Sequence, residues 1–216
     1  MSPKGKKLLN LYTQMAEKGY KRSDGTFVPP EYVYNSFELR KYAPHVKELL
    51  KSSETILDYG CGGSDWTKPE FIPGLKPTAI EYFSLKKAYM YEPARNIDER
   101  QEVDTVICFD VLEHLFIADL MPTLEDIFYY AKKSVILNIA GYKAQALLPN
   151  GENAHTIVMP ITWWKGVLDM VSVKFPKVEI HVLYSTDSMT AQTVAPWKAN
   201  DWIGSETFGL NLINNS

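Results

Sequence analysis

Glu54-Thr55-Ile56-Leu57-Asp58-Tyr59-Gly60-Cys61-Gly62-Gly63-Ser64-Asp65 is the stretch on which the reading of the fold turns. Thr55, Ile56 and Leu57 set β-branched and apolar side chains in a run, the pattern of a short buried strand. Asp58 ends that strand. Gly60, Gly62 and Gly63 follow in a tight turn, where glycine admits positive φ and lets a ligand approach the backbone. A strand that ends in an acid and then a glycine turn marks a small-molecule pocket in an open α/β sheet, because the crevice lies at the carboxyl ends of the strands. The same residues narrow the ligand. A dinucleotide fingerprint needs G-x-G-x-x-G, and Asp65 stands at the third glycine position; a P-loop needs Gly-Lys-Ser/Thr, which the chain lacks. A nicotinamide enzyme is therefore disfavoured.

The chain has 216 residues, enough for one α/β domain with a sizeable core. Apolar residues make up 45% and charged residues 23%, as in an ordinary soluble globular protein. The net charge of −3 supplies no global basic field for nucleic acid or an anionic membrane, so a nucleic-acid substrate is disfavoured. No apolar run reaches the length of a membrane span and no signal-peptide pattern opens the chain, so the cytoplasm is the expected compartment. Cys61 and Cys108 belong to no metal-ligand cluster and read as small buried thiols in a reducing environment.

Working outward, residues 5–20 carry Leu8, Leu11, Tyr12 and Met15 at helical spacing, ringed by Lys4, Lys6, Lys7, Lys18, Lys21 and Arg22. This is an amphipathic helix, either packed on the domain or closing over the pocket. Residues 21–34 read as a loop, with Tyr32 and Tyr34 near its end. Asn35-Ser36 caps an expected helix from Phe37 to about Leu50. Past the glycine turn, Pro69, Pro73, Gly74 and Pro77 forbid a long helix, leaving a short one at Ala79–Leu85. A second strand runs from Lys87 and ends in Glu92. An acid there is positioned to accept hydrogen bonds from both hydroxyls of a ribose. It stands 34 positions after Asp58, against roughly 20 in the dinucleotide pattern, and the proline-rich insertion accounts for the excess. Residues 94–103 are too few for a helix and a full third strand. Asp98 and Asp104 are the candidates for an adenine amine.

Val103 to Asp110 is a buried strand followed by Val111-Leu-Glu-His114. Thr123–Lys133 follows as a helix, with Leu124, Ile127, Phe128 and Ala131 on one face and Lys132 and Lys133 in its last turn, complementing the dipole. Ser134–Ala140 is a fifth strand, apolar throughout. Residues 141–165 are irregular and hold His155, Trp163 and Trp164. A helix from about Thr162 to Val171, strands at Lys177–Leu183 and Met189–Ala195, and a polar tail over 196–216 complete the chain. We expect a single domain over 1–216: an N-terminal helix and loop (1–34), a core (35–195) and the tail.

Three motifs in order, Ile56-Leu-Asp-Tyr-Gly-Cys-Gly62, Tyr91-Glu-Pro93 and Asp104 to His114, resemble those of the class I, Rossmann-like methyltransferases that use S-adenosylmethionine. The resemblance is specific over residues 54–140 and loose elsewhere. It implies a mostly parallel α/β sheet with helices on both faces; from the residues themselves, the usual third strand is expected to be short or missing and the last strand antiparallel at the sheet edge. It also implies that Asp58, Tyr59, Gly60, Cys61 and Gly62 hold the methionine part of the cofactor, Glu92 and Pro93 the ribose, and Asp110, Val111 and Leu112 the far wall, with Asp110 facing the cofactor's ammonium.

The implied reaction moves a methyl group from S-adenosylmethionine to an acceptor, most simply a small molecule, and leaves S-adenosylhomocysteine. The electrophile belongs to the cofactor, so the protein must align the acceptor and remove its proton, with no metal required. His155 follows a Pro-Asn-Gly turn and precedes Trp163-Trp164 at the pocket edge; it is the first candidate base, with Trp163 or Trp164 stacking on the acceptor. His114 and Glu113 compete for the role. A loop histidine is also commonly a hydrogen-bonded scaffold group. The alternative function is a non-catalytic S-adenosylmethionine-binding module or sensor. Transfer of another group, such as aminopropyl, ranks last because no acidic polyamine site is visible.

Overall fold

Ser2 caps the first helix, α1 (Pro3–Lys18): its hydroxyl accepts the Gly5 amide at 3.0 Å, and Pro3 takes the first turn, where no N–H is needed. The computed structural model describes residues 1–33, 37–188, 190–201 and, for the main chain alone, 210–214. The buried face of α1, with Leu8 and Met15, packs on Leu148 and Ala154, and the helix lies beside the Pro93–Arg95 turn. The segment expected as loop contains a small hairpin, β1 (Tyr20–Lys21) and β2 (Phe27–Val28), whose turn is closed by Asp24 accepting the Thr26 amide. The proposed Asn35-Ser36 cap and Tyr34 lie outside the described residues. The single helix expected from Phe37 to Leu50 is divided into a 3₁₀ segment, Glu38–Tyr42, and α2 (Ala43–Leu49). Pro44 is the cause: it has no N–H to give the Arg40 carbonyl, so an α-helix can start there but not run through.

The other elements follow in chain order: β3 (Thr55–Tyr59), α3 (Ala79–Phe83), β4 (Lys87–Glu92), β5 (Ile97–Asp98), β6 (Val103–Phe109), α4 (Ile117–Tyr130), β7 (Ala131–Ala140), α5 (Ile161–Ser172), β8 (Glu179–Ser185), β9 (Thr190–Trp197) and β10 (Leu210–Asn214). α3 carries a full capping box from Thr78 and Glu81. The main sheet has the order β10-β9-β8-β7-β6-β3-β4-β5. β4, β3, β6, β7 and β8 are parallel neighbours, while β5 and β9 run against them. The third strand is indeed short: β5 has two residues.

Side-chain alternation divides the core between the two faces of the sheet. Leu57, Val106 and Cys108 face α4 and α5. Ile56, Ile107 and Phe109 face α2, α3, Trp66 and Phe71. With both faces covered, the buried parts of the central strands are mostly apolar, with Thr105, Ser134 and Asn138 among the buried polar exceptions. Chain order reverses at β3: one neighbour, β4, follows it directly, and the other, β6, comes after the detour through β5. That reversal opens a crevice at the carboxyl ends of β3 and β6, the place where such sheets take ligands.

Two boundaries differ from expectation. α4 begins at Ile117 rather than Thr123 and ends at Tyr130, so Lys132 and Lys133 lie on β7 and complement no helix dipole. They pair instead with Glu102 and Asp104, at 3.4 and 3.0 Å. The polar 196–216 tail contributes β10, which adds a strand antiparallel to β9 at the sheet edge. Main-chain hydrogen bonding decides that pairing, and side-chain polarity does not oppose it at an edge. Among the described residues, no helix is long and apolar enough to cross a membrane.

Candidate functional site

The glycine turn is held against the end of β4 by main-chain bonds. The Gly60 and Cys61 amides both donate to the Tyr91 carbonyl, at 2.7 and 3.0 Å. Gly60 has φ +80°, and a Cβ built there would stand 2.3 Å from Cγ2 of Val111. The residue must therefore be glycine on two counts, left-handed backbone and direct contact with the motif after β6. Glu92 accepts the Gly62 amide through Oε2 and the Ala94 amide through Oε1, both at 3.0 Å. Arg95 donates to the Gly62 carbonyl, so an acid and a base hold the two peptides on either side of Gly62. Each Glu92 oxygen keeps a lone pair for a further donor.

Asp58 is buried beneath the turn and accepts the indole N–H of Trp66 at 2.8 Å. Burial pushes its pKa up to about 7, offset in part by Trp66 and reinforced by nearby Glu92. Burial also raises the Glu92 pKa, against the pull of its two amide donors. Asp110, at φ +53°, is a non-glycine residue in the left-handed region at the end of β6. Such strain persists only where the surroundings enforce it. Here Asn138 donates to Asp110 Oδ1 at 2.8 Å, Ser185 donates to Asn138 at 3.0 Å, and the Tyr42 hydroxyl meets Ser185 at 2.8 Å. The chain of bonds crosses the carboxyl ends of β6, β7 and β8. Burial, with Glu38 nearby, pushes the Asp110 pKa up to about 7.

These groups border one cavity of about 860 Å³, within the roughly 300–1,000 Å³ of ligand sites. Asp58, Tyr59, Gly60, Cys61 and Gly62 line it, as do Glu92 and Pro93. So do Asp110, Val111, His114 and His155. Two expected site residues do not. Leu112 is fully buried and packs in the core under α4, because the turn after β6 directs it inward. Glu113 is also fully buried, with Oε1 accepting the Ala140 amide at 3.0 Å.

The adenine candidates are corrected as well. Asp104 is at the start of β6, the opposite end of the strand from Asp110; it accepts the Glu54 and Thr55 amides and pairs with Lys133. Asp98 is tied to Arg100 at 2.7 Å, and neither acid lines the cavity. Asp126 of α4 reaches it instead, receiving hydrogen bonds from the Tyr59 hydroxyl and Arg100, each at 2.8 Å. The tryptophans are not an acceptor wall. Trp164 is fully buried and Trp163 packs beside it in the α5 core. Tyr12, Phe37 and Tyr142 supply cavity aromatics that spacing alone could not assign.

At the far end of the cavity the rings of His114 and His155 meet edge-on, 4.7 Å between centroids. His114 Nδ1 lies 3.0 Å from the Ala154 carbonyl and 2.8 Å from the Tyr12 hydroxyl; His155 Nδ1 faces the Tyr142 carbonyl. Burial, then the neighbouring His155, lowers the His114 pKa to about 3, and burial lowers that of His155. Both rings are neutral at physiological pH. α1 lies over this end: Met1, Gly5, Leu8 and Tyr12 line the cavity, so the N-terminal helix is both packed on the domain and part of the site.

No family model matches the chain, and neither a curated protein nor a solved structure matches it.

Proposed function

We propose that this chain is an S-adenosylmethionine-dependent methyltransferase that acts on a small-molecule acceptor. One observation carries the reading. Two buried acids, Asp58 and Glu92, end adjacent parallel strands and flank the Gly60–Gly62 turn at the point where the sheet order reverses. A nucleoside with a charged amino-acid tail suits that layout. Glu92 has acceptor capacity for two ribose hydroxyls, the turn offers main chain to the methionine part, and Asp110 offers a carboxylate to the ammonium. Val111, in contact with Gly60, walls the opposite side. When bound, the cofactor supplies an activated methyl carbon. The protein's share is to hold the acceptor in line, exclude water beneath α1 and manage the acceptor's proton at the His114–His155 end.

Calorimetric titration tests the cofactor. S-adenosylhomocysteine should bind with micromolar-range affinity, on the order of −7 to −8 kcal/mol, and NAD should not bind measurably. Binding of NAD with no response to S-adenosylhomocysteine would refute the reading. Incubation of the protein with cell extract and methyl-labelled cofactor then separates an enzyme from a binding module, since only an enzyme labels a small molecule.

A further inference from the structure

We propose that Glu113, His114 and His155 form a binding site for a divalent transition-metal ion of zinc type, a role that differs from the metal-free site expected from the sequence. One donor atom from each residue lies within 4.8 Å of the other two. Glu113 and His114 come from the turn after β6, His155 from the loop between β7 and α5, so the tertiary fold assembles a two-histidine, one-carboxylate set. The assignment does not rest on the methyltransferase reading.

The hydrogen bonding prepares the histidines as ligands. Each Nδ1 faces a main-chain carbonyl, Ala154 for His114 and Tyr142 for His155. A carbonyl only accepts, so Nδ1 carries the hydrogen and the Nε2 lone pair remains for a ligand. Tyr12 commits its hydroxyl hydrogen to the Ala154 carbonyl at 2.9 Å. Its oxygen is thus an acceptor toward His114 Nδ1. Carbonyl partners of this kind orient metal-bound imidazoles.

Glu113 supplies the second, independent observation. Its side chain is fully buried, and Oε2 has no hydrogen-bond partner. No Lys, Arg or His pairs with it among the described residues, and its acidic neighbour, Asp110, brings no positive charge. A buried carboxylate without a cation is costly, and a divalent ion would offset that cost. Donors around tetrahedral zinc stand about 3.3 Å apart, so no pair need close by more than about 1.5 Å. His155, on an irregular loop, is the member free of helix or strand. Three protein ligands leave a fourth position open to water or substrate. His114 and His155 both border the cavity, so that position would face it. If the methyl transfer holds, an acceptor oxygen bound there would lose its proton more readily, making the ion rather than an imidazole its activator.

The test uses the full, untagged chain stripped by chelator and titrated with zinc chloride. Calorimetry should show one equivalent bound at micromolar or tighter dissociation constant, and cobalt(II) should give the visible absorption of a tetrahedral N/O site. His155→Ala and Glu113→Gln should each weaken zinc at least tenfold. Glu113→Gln keeps the shape and the Ala140 hydrogen bond while removing the oxygen that can become an anionic ligand. Its metal-free melting temperature should equal or exceed the parent's, so it reads binding even if His155→Ala is poorly folded. Undiminished zinc affinity in Glu113→Gln overturns the assignment and leaves Glu113 as one half of a proton-sharing pair with Asp110. Loss of the zinc equivalent in His45→Ala would move the ion to α2, which carries His45 outside this triad, and overturn it equally. So would the absence of saturable zinc binding.

Discussion

Glu92 shows how one carboxylate serves both fold and site. It already holds the Gly62 and Ala94 amides, so Glu92→Ala should do more than weaken cofactor. S-adenosylhomocysteine affinity should fall at least tenfold. Apo stability should also fall, by about 1–3 kcal/mol, because partly buried amides lose their acceptor; calorimetry and chemical denaturation read the two effects separately. Asp58 gives a pH signature. Its pKa is raised to about 7 in the fold from 3.8, so the native state binds the extra proton between those values, and the stability it contributes is full below about 4 and lost as pH rises to about 7. Asp58→Asn keeps an oxygen acceptor for Trp66 without that titration. Its stability relative to the parent should therefore increase from pH 5 to pH 8, as denaturant melts at the two values will show; a difference independent of pH would contradict the raised pKa. Gly60 couples two motifs. Gly60→Ala should cost about 1–2 kcal/mol for left-handed backbone alone, and more from the clash with Val111. Trimming Val111 to Ala in the same chain should recover the clash and not the backbone part, giving a nonadditive double-mutant cycle.

Among the elements, α1 is the one most able to control access. Its start is fastened to α4: the Asp119 carboxylate accepts the Ser2 amide and the Ser2 hydroxyl, the latter at 2.6 Å. Gly5 sits so close that a Cβ there would stand 2.4 Å from Asp119 Oδ2. Farther along, Tyr12 reaches Ala154 at 2.9 Å. The helix is thus fixed by a few polar contacts and a small apolar patch, the composition of a segment that opens before the sheet does. Asp119→Ala should speed hydrogen exchange over residues 3–18 while β3, β6 and β7 keep their protection. Unaltered exchange in α1 would show that Leu8 and Met15 alone hold it.

For the whole molecule, ligand and fold are linked. A compound that binds the folded chain at one hundred times its dissociation constant stabilises it by about 2.7 kcal/mol. S-adenosylhomocysteine at that level should raise the melting temperature of the parent chain. The same concentration should do much less for Glu92→Ala. The core that responds is divided into two layers by the sheet, and the cavity lies at the sheet's carboxyl edge. Binding there would therefore join α1, the glycine turn and the ends of β6 and β7 to the most stable part of the structure.

Local pattern was enough for the strands and for the strand-end residues that line the cavity. Thr55–Leu57, Lys87–Glu92 and Val103–Phe109 are apolar runs ended by acids or glycines, and short-range sterics alone dictate how such runs begin and stop. Asp58, Gly60, Gly62, Glu92 and Asp110 could be named because each lies at a strand end, and strand ends in a parallel sheet share one edge. Helix limits were less legible: Pro44 restarts a helix that the apolar spacing runs straight through, and α4 begins at Ile117, ahead of the apolar face from which it was read. Residues distant in the chain met only through packing. Tyr12 against His114, Asp126 under Tyr59, and His155 beside Glu113 and His114 have no common period or spacing. Their juxtaposition depends on how α1, α4 and the loop after β7 settle over the sheet. Trp163-Trp164 marks the same boundary from the other side: the sequence shows two large aromatics, and only the burial of one face of α5 decides that they fill the core instead of the cavity.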